Sequence, residues 1–98
     1  MLTPENRSRI DSLISDSYSS SINGWALMVL FGNTYKAVTI KSSKERFTSN
    51  NVDIIQKFSN MRNAEYICHC IKDRNTGIYP YDVVKEVIQI QHEDEKGE

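Results

Sequence analysis

Two runs rich in aromatic and β-branched residues, Trp25 to Phe31 and Thr34 to Ser42, are separated only by Gly32-Asn33, and no other feature restricts the chain as much. A two-residue link of this composition suits a type I′ or II′ turn, whose backbone twist matches that of the strands it joins. The turn fixes the pairing. On one face Phe31 meets Thr34, Val29 meets Lys36, Leu27 meets Val38 and Trp25 meets Ile40; on the other Leu30 meets Tyr35, Met28 meets Ala37 and Ala26 meets Thr39. A sheet with one solvated face alternates apolar with polar residues. Here both faces are largely apolar, so both need a cover.

Helical signals lie on either side of this hairpin. Thr3-Pro4-Glu5 has the order of an N-cap, a first-turn proline and an acid favoured by the helix dipole, and Ile10, Leu13, Ile14 and Tyr18 follow at helical spacing. The spacing predicts a helix over 4–17 whose polar side, including Arg7, Arg9 and Asp11, marks it as a lid. Ser19 to Gly24 reads as a connector. Asn50 and Asp53 stand in a capping-box-like relation, which predicts a second helix over 51–60 with a core stripe of Ile54, Ile55, Phe58 and Met61, closed by Asn60 and Asn63.

Further on, 65–72 reads as a strand, 73–77 as a turn and 78–81 as extended chain, because the residue before Pro80 is biased away from helix. Residues 82–91 fit two periods: Val83, Val84, Val87 and Ile88 suit a helix, and the β-branched, alternating Ile88 to Gln91 suits a strand. The later part reads as strand. The expected fold class is α+β, a small antiparallel sheet in the order helix, β-hairpin, helix, β-hairpin, with helices packed on it. Residues 1–91 form a single domain, and 92–98 an acidic flexible tail.

Ninety-eight residues can bury about 65% of the unfolded surface, enough for one core without staples. Cys68 and Cys70 therefore need not be bridged. On a strand their Cα atoms would stand about 6.5–7 Å apart on one face, too far for an unstrained disulfide, and reduced thiols indicate a cytoplasmic setting. The longest apolar run has seven residues, and the amino terminus has no basic region followed by an apolar stretch, so neither a membrane span nor secretion is expected. In Cys68-His69-Cys70 strand alternation sends the imidazole away from both sulfurs, so no metal is expected there. No phosphate-binding loop, Gly-x-Ser-x-Gly or Gly-x-Gly-x-x-Gly pattern is present, so neither a cofactor nor a catalytic residue is assigned.

Charge is unevenly placed although the net charge is only −1. Residues 34–74 carry eight basic and four acidic side chains, and residues 75–98 two basic and six acidic. Two surfaces follow as candidates. The outer face of the hairpin, Met28, Leu30 and Tyr35, is apolar beyond what two helices must cover, and marks a protein-partner or homodimer interface. The alternative is that one helix covers each face and leaves no interface. The basic middle, Lys36, Lys41, Lys44, Arg46, Lys57 and Arg62, is a candidate for contacting nucleic-acid backbone. The leading expectation is a small noncatalytic protein-binding protein, inhibitory or regulatory, that covers a surface of a partner; the alternative is a nucleic-acid-binding regulator. The abundance of Ile, Asn and Ser with Lys preferred to Arg fits an AT-rich phage or mobile-element source.

Overall fold

The computed structural model describes residues 2–16, 22–42, 45–71 and 73–96. In chain order they form α1 (Pro4–Ser15), β1 (Trp25–Phe31), β2 (Thr34–Ser42), β3 (Glu45–Ser49), a single 3-10 turn at Val52–Ile54, α2 (Met61–Ile71), β4 (Thr76–Pro80) and α3 (Tyr81–Lys96). The strands make one antiparallel sheet in the order β3-β2-β1-β4, so the fold is of the expected α+β class. Ser17, Tyr18 and the first half of the expected connector, Ser19 to Ser21, lie outside the described residues.

The hairpin register from Leu27–Val38 to Phe31–Thr34 is the one that the Gly32-Asn33 turn dictates. Beyond Leu27 the two strands part. Trp25 does not bond to Ile40: its N–H and C=O bond to the C=O and N–H of Phe58, both at 2.8 Å, while the N–H of Ile40 donates to Oε1 of Gln56 at 2.8 Å. The stretch from Gln56 to Phe58 is thus a wedge that satisfies the backbone of both strands where they separate. Gly24 makes room for it. At its φ of +90° a Cβ would lie 2.6 Å from the Phe58 carbonyl oxygen, so both conformation and space require glycine there.

Four further expectations are corrected by the structure. The helix over 51–60 is only the 3-10 turn, opened by Asn51, whose Oδ1 accepts from the N–H of Asp53 at 2.9 Å. Within its expected stripe Ile55 and Phe58 are buried, whereas Ile54 and Met61 are exposed. Asn60 does not close that helix. Its Oδ1 accepts from the N–H of Asn63 at 2.9 Å and so opens α2. The strand read at 65–72 therefore lies in a helix, with Ala64, Ile67, Cys68 and Ile71 at i, i+3, i+4 and i+7 facing the sheet. Residues 82–91 are helical throughout, and the tail expected from His92 onward continues α3 as far as Lys96. β3 has no counterpart among the expected elements; its five residues are exposed or half-buried, and only Phe47 is a large apolar residue.

Each face of the sheet has its own cover. Under α2, Leu27, Val29 and Val38 pack with Phe58 and Ala64, flanked by Trp25, Ile40, Ile67, Ile71 and Ile78. On the opposite face Ala26, Met28 and Ala37 pack with Val84, Val87, Ile88 and Ile90 of α3 and with Ile10 of α1. At about 1.5–3 kcal/mol for each fully buried aliphatic side chain, α3 is a principal contributor to the core and α1, with only Ile10 fully buried, a minor one. Polar contacts anchor α1. The N-cap Thr3 accepts at Oγ1 from the N–H of Asn6 at 3.2 Å; Asp94 of α3 accepts from the N–H of Thr3 at 3.1 Å and from the side-chain amide of Asn6.

Candidate functional site

Helix α2 does not cover its face of the sheet evenly. It packs over β1 and β4 and Val38 of β2 is buried with them, whereas beside it the outer part of that face, from Ile40 of β2 to β3, stays open among the described residues. Between them runs a groove of about 400 Å³ lined by Ile40, Ser42, Glu45, Arg46, Tyr66, Ile67, Cys70 and Ile71. The spacing of α2 explains the lining. With Ala64, Ile67, Cys68 and Ile71 turned to the sheet, Arg62, Tyr66 and Cys70 fall on the next stripe at i, i+4 and i+8, above the groove. Tyr66 is 68% exposed, over apolar side chains that Ile40, Ile67 and Ile71 present.

One end of the groove is closed by charge. Arg46 of β3 donates from Nη1 to Oδ2 of Asp73, just after α2, at 2.7 Å. Oδ1 of Asp73 accepts from the N–H of Asn75 at 2.9 Å. That backbone bond first, and then the Arg46 guanidinium, hold the Asp73 carboxyl below the usual range for an aspartate. Nearby, burial pushes the Cys68 thiol up, and the Asp73 charge adds to the rise. The thiol is held protonated, and Sγ donates to the Thr76 carbonyl at 3.7 Å. This is the opposite of an activated cysteine, which needs a neighbouring positive charge to form thiolate. Cys70, two residues on, is exposed. On a helix the two sulfurs diverge, so their expected placement on one strand face is corrected. Among the described residues no three His, Cys, Asp or Glu side chains come together as metal ligands would.

The expected partner surface on the hairpin is overturned. Met28 is 1% exposed and lies in the core with α3; the Tyr35 ring packs against that core, and Leu30 is half-buried. The reason is α3 itself, which as a helix lies across the face that a strand at 82–91 would have left bare. The basic residues are not gathered into one ridge. Lys36 lies over the Phe31 ring at 5.3 Å on the α2 face, Lys41 over Phe47 at 4.8 Å on the opposite face, and Lys57 over Tyr81 at 5.5 Å beside the wedge. Arg46 is taken up by Asp73, Arg62 is exposed in the first turn of α2, and Lys44 lies outside the described residues. A second, more open depression between α1 and α3 is lined by polar residues apart from Leu13, and its Arg9 is already engaged with Asn6, Glu86 and Glu93.

Sequence reasoning misses Tyr66, Ile67 and Ile71 because it reads 65–72 as a strand; the 64, 67, 68, 71 spacing is the signal that could find them. No helix among the described residues is long and apolar enough to cross a membrane. Comparison with known protein families, curated proteins and solved structures finds no match.

Proposed function

We propose that this is a small noncatalytic protein-binding protein, inhibitory or regulatory, that holds its partner at the groove between α2 and the β2–β3 half of the sheet. The observation that carries this reading is the incomplete cover: a helix with a well-formed apolar stripe leaves Ile40, Ile67 and Ile71 beneath a 68% exposed Tyr66. Exposed tyrosine beside aliphatic side chains is the composition found at the centre of protein interfaces, and Arg46 and Arg62 at the margins add polar contacts. A cytoplasmic setting belongs to the same proposal and is supported by the Cys68 thiol, which donates as S–H. The composition supports a phage or mobile-element source.

Affinity capture from cell lysate, with and without nuclease, tests the reading when wild type is compared with Tyr66→Asp. The substitution is at an exposed position and should leave the fold intact. The expected result is a protein retained by wild type regardless of nuclease and lost from the variant. Retention abolished by nuclease would replace this reading with nucleic-acid binding, and equal retention by Tyr66→Asp would place the interface elsewhere.

A further inference from the structure

The two edges of the sheet are not equivalent. Along β4, Pro80 has no N–H to offer and the Thr76 carbonyl is taken by the Cys68 thiol, so this edge is guarded. Among the described residues β3 has no such protection. Its backbone direction follows from the register. Tyr35 of β2 turns its N–H and C=O toward the β3 side, where Gln91 binds them, so Ala37 and Thr39 face that side too and bond to Ser49 and Phe47. Arg46 and Thr48 therefore direct their N–H and C=O outward. The arginine side chain, a charge that would protect such an edge, is drawn across the α2 face to Asp73. Phe47 lies midway between the two outward residues and is 36% exposed on the opposite face.

We propose that β3 pairs antiparallel with β3 of a second copy of this chain, about a twofold axis at Phe47, to make one continuous eight-stranded sheet. In this register Arg46 exchanges both backbone bonds with the partner's Thr48, and Thr48 does the same with the partner's Arg46. The two Phe47 rings meet at the closely spaced pair between them. Glu45 faces the partner's Ser49, so no like charges oppose each other. The neighbouring registers fail. Centring on Arg46 sets arginine against arginine, and centring on Thr48 sets Arg46 against Asn50, where the chain has left the strand and its carbonyl is held by His92. Self-complementarity in a single register is what an isologous interface requires. The contact shares only Glu45 and Arg46 with the lining of the Tyr66 groove, and its failure would leave the partner reading standing.

Sedimentation equilibrium over a wide concentration range, with circular dichroism as a control for folding, tests the pairing. Wild type is expected to dimerise, and Thr48→Pro, which removes an outward N–H at a position with no bond to β2, to weaken the dimer by at least about tenfold because two symmetry-related hydrogen bonds go. In a Cys70→Ser background, Phe47→Cys should form a disulfide-linked dimer on mild oxidation, since the closely spaced pair at the axis brings the Cα atoms within bridging distance. This second variant decides the matter if Thr48→Pro does not fold. A wild type that stays monomeric, a dimer indifferent to Thr48→Pro in a folded variant, or a Phe47→Cys dimer that fails to cross-link would each overturn the proposal.

Discussion

The side-chain amide of Gln91 occupies both backbone groups of Tyr35, accepting from its N–H and donating to its C=O, each at 2.8 Å. β3 ends at Ser49, opposite Ala37, so on that side Tyr35 has no strand beside it, and a glutamine from α3 supplies the two missing bonds. Gln91 is 4% exposed. Gln91→Leu should therefore lower the unfolding free energy by about 2–4 kcal/mol, because two backbone groups lose their partners in a part-buried place. Gln91→Glu should recover little, since a carboxylate can accept from the N–H but meets the carbonyl lone pairs. Denaturant titration of the three proteins reads the order directly; a Leu variant as stable as wild type would show that the pair contributes nothing.

Gly24 and Gly32 make a controlled comparison. Both have positive φ, +90° and +57°, but a Cβ on Gly32 meets nothing within 4 Å while one on Gly24 lies 2.6 Å from the Phe58 carbonyl. Gly32→Ala should cost about 1–2 kcal/mol, the conformational term alone. Gly24→Ala should cost more, because it also pushes the wedge off Trp25. Phe58→Ala leaves the backbone bridge in place and should cost about 3–5 kcal/mol through the cavity it opens. Equal midpoints for the two glycine variants would mean that the wedge yields freely.

The cysteines should separate by reactivity. Cys70 is exposed, and Cys68 is part-buried with its thiol pushed up. At neutral pH a thiol reagent should label Cys70 rapidly and Cys68 only as the protein opens. Mass mapping after brief labelling checks this, and equal rates at the two sites would be inconsistent with α2 as placed. Because the folded protein holds the Cys68 proton more tightly than the unfolded chain, stability is full below the ordinary thiol range near about pH 8.5 and should decline as pH rises through the higher folded value.

Asp73 carries the reverse dependence. Its carboxyl is held low by the Asn75 N–H and by Arg46, so its contribution to stability is present above the ordinary aspartate range near about pH 3.9 and should fade as pH drops through the lower folded value. Comparing the acid limb of the stability curve for wild type and Asp73→Asn isolates this part. Identical limbs would remove Asp73 as its source.

How much is legible in the sequence differs from element to element. The hairpin register can be read because a two-residue turn leaves no freedom, and α1 because Thr3-Pro4-Glu5 is a local signal. α3 cannot be assigned from periodicity: Val84, Val87 and Ile88 face the sheet while Ile90 and the partly buried Val83 belong to the same core beside α1, and burial on two sides blurs the 3.6-residue period. In α2 the β-branched and aromatic residues mask a clear i, i+3, i+4, i+7 pattern. β3 is a polar edge strand with no run of apolar residues to announce it. The groove is lost with these two elements, since its walls come from positions some 25 residues apart that only the fold brings together.

The clasp between Thr3, Asn6 and Asp94 joins segments about 90 residues apart, and its timing during synthesis follows from that. The ribosome delivers α1 and then β1 and β2, with Met28 and Ala37 presented on one face. The helix that shields them emerges after every strand of the sheet. Until Val84, Val87 and Ile88 have left the exit tunnel, that face lacks its cover within the nascent chain, and α1 lacks the surface on which it settles. The core on this side therefore closes only once α3 is out, and the interval before then is when a chaperone, or a neighbouring nascent copy, has access to it.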